Sequence, residues 1–242
     1  MTKSFFVDLS RCIACRGCQL ACKQWNMMPA EDTKQIGTYQ NPPDLSAKTI
    51  RLVRFTEHKV DGALRWLFFP EQCRHCIIPP CKAVSDSYVE GAITQDEKYG
   101  WVQHTPLSAK LTEEQRQEVK EACPYNIPRW DKADGILRKC TMCWDRVPQG
   151  LKPACVASCP TGTMNFGERD EMLALAKQRL AEVKKEYPKA VLVNPDDVNV
   201  IFLAHVDPKL FYDYLMADAG ETGPLDRKTL FAKAFAPLRH LA

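Results

Sequence analysis

No apolar run in this 242-residue chain is long enough to cross a bilayer. The longest, VNVIFLAHV, spans residues 198–206, whereas a spanning helix needs about 20 apolar residues. The sequence is therefore read as having no transmembrane segment. Charge of one sign is scarce too. Lys and Arg number 33 against 30 Asp and Glu, a formal net charge of +3. That leaves no basic stripe of the kind nucleic acid requires, so a nucleic-acid partner is excluded. The N-terminal MTKSFFVDLSRC has neither the apolar core nor the cleavage site of a secretory signal, and no signal of its own is expected. Nucleophile elbows, phosphate loops and dinucleotide fingerprints are missing, as is any long-period repeat. Nothing points to a catalytic site on this chain.

Cysteine, by contrast, is abundant but confined. The 12 cysteines fall at 12–22, 73–81, 123 and 140–159, and nowhere else. Without an export signal, disulfides are a poor reading, because cytosolic thiols stay reduced; zinc or iron–sulfur clusters remain. Proline, 17 in all, crowds the same places: NPPD, CIIPPC, CPYNIP and RVPQGLKPAC. Proline fixes φ and breaks long helices, and the stiff loops that result suit metal ligation. Between the groups, TIRLVRF, LRWLFFP and GWVQHT read as short strands, as do AVLV and VNVIFLAHV further on. Residues 168–187 read as a helix, with Met172, Leu173, Ala176, Leu180 and Val183 at helical spacing and Pro188 as its stop.

The first group is Cys12-x2-Cys15-x2-Cys18-x3-Cys22, the spacing of a bacterial ferredoxin motif, whose fourth cysteine ligates the other cluster of a pair. The last group, Cys140-x2-Cys143-x11-Cys155-x3-Cys159, followed by Pro160, is the same motif with its third ligand delayed by a loop. Crossing the fourth cysteines gives two complete sites: Cys12, Cys15, Cys18 and Cys159 for cluster one; Cys22, Cys140, Cys143 and Cys155 for cluster three. Zinc, which usually pairs two separated knuckles, fits this crowding poorly. The second group, Cys73-x2-Cys76-x4-Cys81, has Ser85 where its own fourth cysteine would stand. The same crossing rule takes the missing ligand from Cys123, so that Cys73, Cys76, Cys81 and Cys123 form cluster two. A regular array would hold a fourth cluster built from positions 85, 113, 116 and 119. These are Ser85, Glu113, Arg116 and Val119, and one whole site is absent. The competing reading makes Cys123 a buried structural thiol. The vacated stretch LTEEQRQEVKEA reads instead as a helix, with Thr112 as N-cap, Gln115 completing a capping box, and Glu113 and Glu114 in the first turn.

Three [4Fe–4S] clusters, each with four thiolates, carry about −2 apiece and outweigh the formal +3. Arg11, Arg16, Lys23, Arg74, Lys82 and Lys139 stand beside cysteines and offset part of this, or face water. Trp25, Trp144, Tyr125 and Phe166 also lie near ligands, as water-excluding shields or as plain core. His75, inside CRHC, reads as a neutral loop residue. A chain with three redox centres and no chemistry of its own is a relay between a catalytic partner and an acceptor. A zinc-stabilised interaction module is the competing reading from another class.

RCIACRGCQLACKQWN, FFPEQCRHCIIPPCK, ACPYNIPR, KCTMCWDRV and PACVASCPTGTMNFG resemble the iron–sulfur (beta) subunits of molybdenum- or tungsten-dependent formate dehydrogenases. The three-cluster form resembles the small subunit of the soluble enzymes of sulfate-reducing bacteria. The resemblance implies a large pterin-holding catalytic partner that interconverts formate and carbon dioxide, a cytochrome c as a plausible acceptor, and a heterodimer. It also implies a periplasmic address reached under the partner's twin-arginine signal, with the cytoplasm as alternative. Equivalent subunits serve nitrate, sulfoxide and polysulfide reductases, and these stay open as the second function.

The expected fold is α+β: two intertwined bacterial-ferredoxin-like lobes, with short strands and loops around the clusters, plus a C-terminal helical extension. One lobe joins 1–30 to 134–166 and holds two clusters. The other, 66–133, holds one. Residues 31–65 connect them, and 167–242 supply a helix, strands and the extension. The basic, amphipathic LDRKTLFAKAFAPLRHLA at 225–242 is expected to dock on the partner, to pack on its own domain, or to stay unattached.

Overall fold

The computed structural model describes residues 2–217; the amphipathic segment 225–242 lies outside them. Strand β1 (Lys3–Asp8) is buried from Ser4 onward, on both faces. A strand covered on both faces must lie inside a sheet, and β1 does. On one side it pairs antiparallel with β8 (Met164–Glu168); on the other it runs parallel to β10 (Val200–Ala204), with Phe5 opposite Val200 and Val7 opposite Phe202. β9 (Val191–Val193) closes the edge, giving the order β8-β1-β10-β9. Helix α5 (Arg169–Val183) packs on this sheet through Ala176 and Val183, with Phe6, Ile201 and Leu203 facing it.

The long hairpin of β2 (Leu52–Val60) and β3 (Ala63–Glu71) turns at Asp61 and Gly62, both at positive φ. Its base is buried and its tip is exposed. Phe69 meets Phe202 edge-on at 5.2 Å, locking the hairpin to β10. Helix α6 (Pro208–Phe211) leans on the hairpin, where Thr56 Oγ1 donates to the Leu210 carbonyl at 2.8 Å.

Two helix pairs carry the cysteines. Helix α1 (Gly17–Trp25) packs against α4 (Ala154–Ala157), and α2 (Pro80–Asp86) against α3 (Glu113–Glu121). Small hairpins flank the second pair: β4 (Ile93–Gln95) with β5 (Val102–His104), and β6 (Arg129–Trp130) with β7 (Leu137–Arg138). The capping box is present. Thr112 Oγ1 accepts from the Gln115 N–H at 3.2 Å, and Gln115 Oε1 accepts from the Thr112 N–H at 2.9 Å. Among the described residues, no helix is long and apolar enough to cross a membrane. The segment after 167 is more than an appendage to the cysteine-bearing regions, because β10 is the inner partner of β1.

Candidate cluster-binding sites

The first cysteine group begins in the turn after β1 and continues into α1. Cys12, Cys15, Cys18 and Cys159 line one hollow. Cys12 is pushed up to about 12, by burial first and then by the sulfurs of Cys18, Cys15 and Cys159. A second hollow is lined by Cys73, Cys76, Cys81 and Cys123. There Cys76 is held well above its ordinary value by burial and by the sulfurs of Cys73, Cys123 and Cys81. The third grouping surrounds Cys22, raised by burial and then by Cys140, Cys155 and Cys143. The cysteines thus lie in three groups: four around each hollow, and Cys22 near Cys140, Cys143 and Cys155.

One backbone device recurs in all three. In the pairs Cys12–Cys15, Cys73–Cys76 and Cys140–Cys143, the residue just before the second cysteine has positive φ without being glycine: Ala14 at 54°, His75 at 47° and Met142 at 57°. Such a conformation is uncommon outside glycine. Here it turns the backbone N–H toward the first cysteine's sulfur. His75 N donates to Cys73 Sγ at 3.3 Å, and Met142 N to Cys140 Sγ at 3.4 Å; the Ala14 N–H likewise favours the Cys12 thiolate. Around Cys123, pushed up to about 11 by burial and by Cys73, the N–H groups of Ile127 and Tyr125 do the same. Cys159 is lowered: burial raises it, but hydrogen bonds from Met164, Thr161 and Thr163 prevail.

These features fit a [4Fe–4S] cluster. Crowded thiols whose pKa values are pushed up ionise together only when metal cations displace their protons. Backbone N–H groups aimed at sulfur are what cluster thiolates accept. Close approach is reserved too: a Cβ on Gly17 would stand 3.2 Å from the Ser158 carbonyl and 3.6 Å from Cys15 Sγ.

The other residues singled out from sequence divide. Tyr125 is buried beside Cys73 and Cys140, and Phe166 packs on the main core. Trp25 and Trp144 are 42% and 48% exposed and shield little; Trp25 instead donates to Asp145 at 2.7 Å under the Arg146 guanidinium. His75 is fully buried, accepts from the Val102 N–H at 3.0 Å through Nδ1, and is held neutral by burial. Ser85 is fully buried and its Oγ has no hydrogen-bond partner. Of the six flanking cations only Arg74 and Lys139 are buried. The residue that motif reading misses is Arg51, buried among the sulfurs of Cys155, Cys18 and Cys22. No motif contains it; its one signal is a charge within an apolar strand pattern.

Residues 64–169 match the family model of the 4Fe-4S dicluster domain. Over 90% of its length the chain is 53% identical to the formate dehydrogenase subunit beta of Megalodesulfovibrio gigas, covering all of it. It is equally similar, at 53% over 88% of the chain and 98% of the relative, to the formate dehydrogenase 2 subunit beta (cytochrome c-553) of Nitratidesulfovibrio vulgaris. The chain belongs to the iron–sulfur beta subunits of formate dehydrogenase. The nitrate-inducible iron–sulfur subunit of Escherichia coli formate dehydrogenase is more distant, 38% identical over 85% of this chain and 70% of its own. A beta subunit of this family binds [4Fe–4S] clusters and transfers electrons within an oxidoreductase complex, and another subunit is catalytic.

Proposed function

We propose that this chain holds three [4Fe–4S] clusters and relays electrons between a pterin-dependent, molybdenum- or tungsten-containing formate dehydrogenase subunit and an external acceptor such as a cytochrome c. The observation that carries the reading is the grouping of cysteines far apart in sequence: Cys159 with Cys12, Cys15 and Cys18; Cys22 with Cys140, Cys143 and Cys155; Cys123 with Cys73, Cys76 and Cys81. Bound there, each cluster supplies a one-electron carrier whose potential depends on hydrogen bonds to sulfur, burial and nearby charge.

The protein's own residues order the relay. Cys155 neighbours Cys18, and Cys140 neighbours Cys73, so the quartet containing Cys22 stands between the other two. All four of its cysteines are buried, whereas Cys15 is exposed and Cys12, Cys159, Cys76 and Cys123 are half-buried. A relay needs this: a protected middle and two ends that reach partners. Two ferredoxin-like lobes follow from the same grouping, 1–30 with 134–166 around two sites and 66–133 around one. The cytochrome c-553 in the name of the Nitratidesulfovibrio relative favours a periplasmic heterodimer, with the cytoplasm as alternative.

The test is anaerobic copurification. A brown complex is expected, with broad absorption near ~400 nm that formate bleaches and oxidised cytochrome c restores. A large partner that turns over nitrate or sulfoxide and not formate would contradict the reading.

A further inference from the structure

Arg51 is 2% exposed. Its hydrogen bonds reach the side-chain oxygen of Gln72, the sulfur of Met164 at 3.0 Å, and the sulfurs of Cys18 and Cys155. Its Nε finds no oxygen or nitrogen acceptor, and the guanidinium lies against the sulfurs of Cys18 and Cys155. Among the described residues no carboxylate pairs with it. Several other arginines do have a carboxylate partner. Arg54 pairs with Glu71 and Asp44, Arg129 with Asp44, and Arg179 with Asp8. Arg74 has the Glu71 charge nearby and lies over the rings of Phe69, Tyr125 and Phe202. Lys139 donates to the carbonyls of Val102 and Cys140.

An arginine side chain stays protonated in a protein, and a buried cation without a counter-ion is strongly unfavourable. The counter-charge must therefore come from something the folded chain acquires. The neighbours of Arg51 name it, because Cys18 belongs to one quartet and Cys22 and Cys155 to the next. We propose that Arg51 is the built-in counter-ion shared by clusters one and three, and that its positive charge, more than its shape, favours their loading and their reduced states. The proposal rests on the ligand assignment above. Each cluster gains one electron on reduction and no bond changes, so a fixed positive charge between two sites stabilises the reduced form of both and makes them easier to fill from the catalytic side. Arg51 is thus a positioning residue for the electron and not a ligand.

The test compares Arg51→Gln with Arg51→Lys in the anaerobically purified complex, by iron content and by redox titration followed by electron paramagnetic resonance. The glutamine variant is expected to lose iron from sites one and three. If it retains that iron, the reduced-to-oxidised ratio of both clusters at a fixed potential should fall at least tenfold, which is 59 mV for a one-electron couple, while cluster two stays within threefold. The lysine variant should keep its iron and stay within threefold at every site. Equal behaviour of the two variants, whether both unchanged, both shifted or both without iron, overturns the role of the charge. A wild-type complex without three cluster signals from this chain would undo the ligand assignment as well, so the two failures are distinguishable.

Discussion

The helix pair α1–α4 and the helix pair α2–α3 start from the same sequence idea and end differently. In α1, Cys18 and Cys22 lie four residues apart, one turn, and serve two different quartets. In α2 the equivalent positions are Cys81 and Ser85. Cys81 lines the second hollow, whereas Ser85 is buried with its Oγ unpartnered. Where a further cluster would have been, Val119, Leu111, Ile93 and Leu137 are at most 1% exposed and form an apolar cluster with Cys81, packed by Val84, Val89 and Trp130. The comparison teaches that a cluster site and a small hydrophobic core are alternative ways to hold two helices together. One uses metal–thiolate bonds that fold with the metal, the other burial of side chains. Helix α3, capped by Thr112, is the ordinary structure that replaces a ligand loop. Cys123, just beyond it, lines the neighbouring hollow with Cys73, Cys76 and Cys81.

The largest effect is expected at that surviving cysteine. Cys123→Ala should leave Cys73, Cys76 and Cys81 one ligand short, removing about a third of the iron bound by this chain, with the other two clusters' resonance signals intact. Iron analysis beside the spectra checks it. A smaller effect should follow from thinning the apolar substitute. Val119→Ala should weaken the region around α3 by about 2 kcal/mol and speed its amide hydrogen exchange about 30-fold, with all iron retained. Loss of iron in that variant would mean that the two halves of the comparison are not independent. Removing the cap, Thr112→Ala, should cost about 1 kcal/mol, read as faster exchange confined to the first turn of α3. Smallest of all, Ser85→Ala should change neither iron content nor thermal midpoint measurably, because the lost hydroxyl has no partner. Ser85→Cys should recruit no additional iron, since positions 113, 116 and 119 hold Glu, Arg and Val and supply no further thiolate.

The cysteine spacing pointed to which thiols lie near one another, because the motifs leave few ways to share twelve thiolates. The capping box was legible for a similar reason: Thr112 and Gln115 satisfy each other locally. Longer-range relations were not. VNVIFLAHV reads as a strand from its composition, but nothing local places it parallel to β1, because an apolar run buried on both faces has no alternation to set its register. Trp25 and Trp144 stand beside cysteines in sequence and yet at the surface, since proximity along the chain does not fix which face a side chain takes. Arg51 was invisible because its meaning lies in what surrounds it. A charge in an apolar stretch becomes informative only once Cys18, Cys22 and Cys155 are seen around it.

The account depends on thiolates being exchanged between motifs, and diffraction from crystals of the complex at the iron absorption edge examines this without any mutation. Three anomalous peaks are expected within this chain, one inside each quartet, with none beside Ser85. An iron peak at Ser85, or a quartet containing Cys123 without iron, would contradict it.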